Sequence, residues 1–244
     1  MKTAIAFWNI LMKDMRNYYL KPPNISWGII FPFAWMLMFF LKSKTPVETV
    51  NILPGIVAMS ILFGTTSMLA VTITFERRSR SFDRLLLAPI HLVWLMLAKS
   101  FGAILFGIIN AFVPFIIAGF VTDLSNVQWG IVLISVIFIA ITSTFLGLLI
   151  AVSVSEVFEA QTFSNFFRFP MVFLCGLFIP ISQLPIFLRP LSYAMPLTYG
   201  ADLLKIAIHQ SGNFSFGLNF MILLGFSMLL FLASKRNIIK KWIY

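Results

Sequence analysis

The chain has almost no cysteine, little charge and few acids. Its one thiol, Cys175, rules out an internal disulfide, and in an apolar run it reads as a small packed residue. Charged residues make up 11% of the 244 positions, where a soluble domain carries about 25%. With 60% hydrophobic residues, such a chain cannot clothe itself in a polar surface in water. No Gly-Lys dipeptide occurs, so a phosphate-cradling P-loop is excluded and ATP is not bound that way. A Gly-x-Ser-x-Gly elbow is missing too. His91 and His209 stand far apart and read as interfacial or loop histidines. No catalytic residue and no metal site are therefore expected. The opening residues lack an uninterrupted apolar region with a small-residue cleavage site, so a removed signal peptide is not expected either.

What is present is a series of apolar runs that approach or exceed the ~20 residues needed to cross a hydrocarbon core. The net charge of +10 sits in short blocks beside those runs. Bases are placed there by the positive-inside rule and by anionic headgroups, so nucleic acid is not expected as a partner. Spans are expected over residues 25–41, 52–75, 92–121, 129–152, 165–179 and 216–234. Residues 3–20 come before them. Ile5, Trp8, Met12, Met15 and Tyr19 recur there at spacings of three and four, opposite Asn9, Lys13, Arg16 and Asn17. That separation predicts an interfacial amphipathic helix, which Pro22 and Pro23 end.

Residues 180–210 break the pattern. Pro180, Pro185, Pro190 and Pro196 recur every five or six residues, and no single straight helix tolerates that. Two short broken helices dipping into one membrane face are expected, since irregular backbone survives at membrane depth only when buried in protein or lining a cavity. With both termini cytoplasmic, the outer side receives only Lys42, Lys44, Arg189 and Lys205. The remaining Lys and Arg, including Lys99 and Arg168, fall inside, which favours that topology. The fold class is thus all-α: a single transmembrane domain over 1–244, with an interfacial helix at 3–20 and an outer re-entrant hairpin at 180–210.

The eight carboxylates all fall at expected span ends or in connections. Ion-coupled carriers hold an ionisable group within the membrane, where it is costly and functional. Their distribution here, with no evident internal repeat, disfavours a secondary carrier. Glu156 and Glu159 lie three apart and read as a solvated cytoplasmic turn in preference to a substrate site.

Two blocks carry a family resemblance. The first is Phe75-Glu76-Arg77-Arg78-Ser79-Arg80-Ser81-Phe82-Asp83-Arg84-Leu85-Leu86-Leu87-Ala88-Pro89. The second runs from Gly176-Leu177-Phe178-Ile179-Pro180 through Leu184-Pro185 and Arg189-Pro190-Leu191 to Met195-Pro196-Leu197-Thr198-Tyr199 and Asp202. In order and spacing the pair resembles the permeases of type-2 ABC exporters, over essentially the whole chain. One departure is visible: Arg80 stands where that family usually has glycine, which marks a difference in the local turn, while Ser81 keeps the hydroxyl position.

The resemblance implies a subunit that is no enzyme and binds no cofactor, with ATP and Mg carried by a separate ABC ATPase. It implies a cell-membrane location (plasma or inner), and a second copy or homologue of the permease to complete a dimer in the lipid bilayer. Residues 76–90 would form a cytoplasmic coupling helix, with Glu76, Arg77, Arg78, Ser81, Phe82, Asp83, Arg84, Leu87 and Pro89 serving the ATPase contact. The substrate pathway would draw on Phe63, Thr66, Phe166, Phe167, Phe169 and Phe173, whose aromatic faces suit an amphipathic cargo. Pro180, Pro185, Pro196, Tyr199 and Asp202 would shape the outer hairpin. The expected cargo is a drug or antibiotic, a lipid or another amphipath, with resistance as the physiological setting. Glycan or glycolipid export by the same family is the alternative, and a carrier without an ATPase stands behind both.

Overall fold

The protein is described by a computed structural model covering residues 2–21, 30, 33–35, 37–38, 41, 46–88, 90–120, 122–177 and 179–243. The first expected span, 25–41, lies largely outside the described residues, as do Lys42, Lys44 and Pro89. Regular structure among the described residues is entirely helical. The order is α1 (Lys2–Asp14), which runs into a π-helical turn (Met15–Tyr19), then α2 (Pro46–Arg78), α3 (Ser81–Leu86) and α4 (Leu92–Gly119). There follow α5 (Trp129–Ser153), α6 (Val157–Leu174), α7 (Arg189–Tyr193), α8 (Pro196–His209) and α9 (Phe216–Ile238).

Four of these are long and apolar enough to cross a membrane: α2, α4, α5 and α9. They match the runs expected at 52–75, 92–121, 129–152 and 216–234, with α2 and α9 extending further. Several of their hydroxyl side chains are satisfied within their own helix. The hydroxyls of Ser60, Thr65, Thr74, Ser135, Thr142, Ser227 and Ser234 each donate to the carbonyl four residues earlier, which satisfies them without water. The fifth expected span, 165–179, meets α6, which starts eight residues earlier. Glu156 and Glu159 form a capping box there: Glu156 accepts from the N3 backbone amide and Glu159 from the Glu156 amide.

The long helix α2 is the axis of the bundle. It packs against α4, α5, α6 and α8, and 78% of its most apolar window is buried, against 22% for α9 at the periphery. Two glycines allow the close approaches. Gly107 of α4 meets Thr65, and Gly147 of α5 lies against the backbone of Thr66, whose hydroxyl donates to the Ser143 carbonyl at 3.1 Å. Small residues at helix seams are how apolar helices associate where no hydrophobic gain distinguishes lipid from protein.

The proline-rich segment is broken as its spacing predicts, into a 3-10 turn at Ile181–Gln183, α7 and α8. Side chains satisfy its irregular backbone. Ser192 donates to the Leu174 carbonyl, Thr198 to Ser192, Tyr199 to Tyr193, Arg189 to Leu184 and Ser182, and Lys205 to Gly176. The buried Asp202 carboxylate accepts from the amides of Asn213 and Phe214 and from the side chains of Asn213 and Asn219.

Between α2 and α3 the chain turns at Arg80, whose φ of 53° lies in the left-handed region. The backbone thus keeps a conformation natural to glycine while carrying an arginine, at a cost of about 1–2 kcal/mol. Arg80→Gly removes that strain but gives the unfolded chain more freedom. The expected outcome is a net stabilisation of roughly 0.5–1 kcal/mol, read as a raised thermal midpoint in detergent; a midpoint lowered by as much as glycine costs through the unfolded chain, about 0.4–1 kcal/mol, would show that the turn carries no strain.

Candidate functional site

Where α1, α2 and α4 converge, four charges close a ring. Lys99 of α4 contacts Asp14 at 2.9 Å and also Glu76. Lys13 contacts Glu76 at 2.5 Å and Asp14 at 3.3 Å. Asp14, Glu76 and Lys99 are fully buried; Lys13 is half-open to solvent. Two cations and two anions alternate, so the ring is neutral as a unit, which is the condition for burying charge without a large penalty. Burial pushes the Asp14 carboxyl above its ordinary range despite the attraction of Lys99. Lys13 is held above its usual value by the hydrogen bond to Glu76 and by the Asp14 charge, against the opposing effect of burial.

This ring changes the reading of α1. The expected apolar face divides into two. Ile5, Trp8 and Met12 are exposed, whereas Met15 is partly buried and Tyr19 fully so, its ring seated over Gly102; Ile10, Leu11 and Asp14, which lie outside the expected face, also pack inward. The helix is anchored by an ion ring on one edge and leaves an apolar edge free.

The 76–89 segment is likewise split by burial. Glu76, Arg77 and Arg78 form the last turn of α2. Glu76 belongs to the ring, and Arg78 pairs with Glu156 at 2.7 Å, tying α2 to the start of α6. Arg77 lies over the Trp242 ring at 4.6 Å, and the buried Phe82 meets the same ring edge-on at 5.0 Å. Ser81 is half-buried at the start of α3. The outward side of α3 carries Asp83, Arg84 and Leu87, the last of them 86% exposed. Sequence reasoning treated all these residues alike; the structure separates anchors from presented groups.

A cavity of about 750 Å3 lies between α2 and α6, with Tyr18 beside α1 and Phe106 of α4 also in its lining. Its lining shows helical periodicity on both walls: Phe63, Gly64, Ser67, Met68, Val71, Thr72 and Phe75 on α2, and Gln161, Asn165, Arg168 and Phe169 on α6. Phe63 and Phe169 meet edge-on at 5.7 Å. Of the other residues expected on the pathway, Thr66 faces the α5 seam, while Phe166, Phe167 and Phe173 are exposed and do not line the cavity. Arg168 was not among the expected pathway residues. Assigned by composition to the inner-side bases, it stands eleven residues into α6 and is only 3% exposed. The spacing of Gln161, Asn165 and Arg168, four then three, was the available signal for a polar helix face.

The described residues thus form an all-helical bundle with four helices long and apolar enough to cross a membrane and a cavity along its axial helix. The chain belongs to the ABC-2 type transporter family, whose model matches residues 5–209. It is similar to the inner membrane transport permease YadH of Escherichia coli strain K12, 23% identical over 148 residues, and equally to that of Shigella flexneri. That alignment covers 61% of this chain and 58% of the relative, so the chain matches under two thirds of the length of its curated relatives. It is a multi-pass membrane protein of the permease kind.

Proposed function

We propose that the chain is the membrane subunit of an ATP-driven exporter, moving an amphipathic cargo such as a drug, antibiotic or lipid outward, with ATP and Mg bound by a separate ATPase. Six spans cross the inner or plasma membrane with both termini cytoplasmic; 25–41 and α6 complete the four apolar helices, and α7–α8 form a hairpin dipping in from the outer face. A second copy or homologue covers the exposed phenylalanines of α6.

The observation that carries this reading is the construction of the α2–α3 junction. A short exposed face (Asp83, Arg84 and Leu87) is held rigidly by buried anchors, Phe82 on Trp242 and Glu76 in the ion ring. An exposed leucine flanked by charges on a fixed support suits a protein partner. The ion ring joins that support to α1, so a push on α3 reaches the interfacial helix and α4 together.

The test is co-purification of the chain with a co-expressed ABC ATPase. Glu76 and Phe82 are buried, so their removal would confound docking with folding; the exposed positions avoid this. Leu87→Asp with Arg84→Glu is expected to reduce ATPase recovery at least tenfold with the thermal midpoint within about 1 °C of wild type. A wild-type chain that brings down no ATPase when co-expressed with one would end the exporter reading. An undiminished recovery with the variant would move the docking site away from α3.

A further inference from the structure

The α2–α6 cavity contains a charge, that of Arg168, for which the described side chains supply no counter-charge. The Arg168 guanidinium donates from Nε to the Ser164 carbonyl at 3.2 Å, from Nη1 to the Phe63 carbonyl at 3.2 Å and from Nη2 to the Asn165 side-chain oxygen at 2.5 Å. It also lies over the Phe63 ring at 4.4 Å. Every one of these partners is neutral. A guanidinium carries five N–H groups, so two remain beyond those three bonds.

No carboxylate among the described residues pairs with it. Asp14 and Glu76 are committed to the lysine ring, Glu156 to Arg78, Glu159 to the α6 cap and Asp202 to the hairpin amides. Asp83 is exposed on α3, and Asp123 is exposed in the loop after α4, where it accepts from the Ser125 amide. Glu48 stands fifteen residues from Phe63 on the same helix, about 22 Å away. A lone buried cation is the arrangement that proteins otherwise avoid, because its lost hydration is not returned by a counter-charge. The contrast within one chain is informative: Lys99, equally buried, has two carboxylates.

The rest of the cavity has the complementary character. Phe63, Met68, Val71, Phe75, Phe106 and Phe169 supply apolar lining, and twelve residues of α2 separate Phe63 from Phe75, about 18 Å of wall. The volume falls within the range of pockets that enclose small ligands. We infer that this cavity binds an amphiphile with an anionic headgroup, phosphate or carboxylate, whose charge sits on Arg168 and whose tail lies along the α2 wall. As a statement about cargo, the inference rests on the permease reading; as a statement about binding, it is measured without any ATPase.

The experiment titrates the purified full chain, in neutral maltoside detergent, with dodecyl phosphate, dodecanol and dodecyltrimethylammonium, following occupancy by native mass spectrometry. Wild type is expected to bind dodecyl phosphate at least tenfold more tightly than the other two. Equal affinities overturn the inference, and this arm needs no variant. Arg168→Gln is expected to abolish the preference while leaving dodecanol affinity within about twofold, and Arg168→Lys to retain most of it. A preference that survives in Arg168→Gln, or a variant that loses dodecanol binding to the same degree, would make Arg168 a structural tether only.

Two further arms identify the source of the anion. Inorganic phosphate alone should compete only weakly, and competition equal to dodecyl phosphate overturns the requirement for a tail. Dioleoylphosphatidylglycerol should be displaced by dodecyl phosphate; a lipid that stays bound at saturation is a resident of another site and overturns the shared assignment. Loss of headgroup preference leaves the exporter reading standing, since that depends on ATPase recovery.

Discussion

Replacing Lys99 by methionine is expected to destabilise the protein by about 3–5 kcal/mol, the cost of leaving a buried ion pair broken on one side. Lys99 bridges Asp14 and Glu76, so its removal leaves two buried carboxylates to share Lys13, which is itself half-exposed. The first consequence is local: α1 loses its hold on α4, and a protease should cut near residues 13–19 before the bundle unfolds. Adding Glu76→Gln to Lys99→Met restores neutrality, with Lys13 and Asp14 still paired. The double variant should therefore be more stable than the sum of the single losses, by roughly 1–3 kcal/mol. Thermal unfolding of the four members of this cycle in one detergent decides the matter. A Lys99→Met midpoint equal to wild type, or strict additivity, would mean that the four charges do not act as a ring.

The second large effect concerns the α2–α5 seam. Alanine is the better helix former, by about 1 kcal/mol over glycine in a helix interior. At Gly147 the sign reverses. A Cβ there would stand closer than 3.0 Å to the Thr66 carbonyl oxygen and 3.1 Å from its Cα, and backbone cannot swing aside as a side chain can. Gly147→Ala should force α5 from α2 and strain the bond from Thr66 to Ser143, costing about 1–3 kcal/mol as overpacking does. Gly225 on α9 is the matched control, since a Cβ there meets nothing within 4 Å. Gly225→Ala should be neutral or stabilising by up to about 1 kcal/mol. Opposite signs for the two substitutions support the close seam; a neutral Gly147→Ala would remove it.

Much of the helical framework is legible from composition because the lipid-facing requirement is crude: long runs without charge. The apolar stretches at 52–75, 92–121, 129–152 and 216–234 mark α2, α4, α5 and α9 within a few residues, except where α2 runs on through Glu76-Arg77-Arg78. In sequence those three read as the start of a separate cytoplasmic helix over 76–90, because the partners that tie them to the axial helix are remote. Glu76 answers Lys99 and Lys13, Arg78 answers Glu156 and Arg77 answers Trp242, contacts that no local window contains. The start of α6 was hidden for a different reason. Its first turns, through Gln161, have the composition of a connection, and only the helical spacing from Gln161 to Asn165 and Arg168 joins them to the expected span. Among the phenylalanines, Phe63 and Phe169 reach the cavity while Phe166, Phe167 and Phe173 do not. That partition depends on the rotation of α6, which the abundance of phenylalanine on every side of it conceals.

The cavity walls differ in stiffness. The α2 wall is wedged among α4, α5 and α8, so displacing it means displacing the bundle. The α6 wall packs chiefly on α2 itself and turns a row of phenylalanines outward, so less of the bundle holds it in place. Arg168 donates to the Phe63 carbonyl and holds its guanidinium over the Phe63 ring, a polar link between the two walls at the Phe63 end of the cavity. The guanidinium is therefore a spring as well as a charge. A ligand that draws its N–H groups away from Phe63 slackens the spring, so occupancy and gape are read on a single coordinate, the separation of α6 from the axial helix.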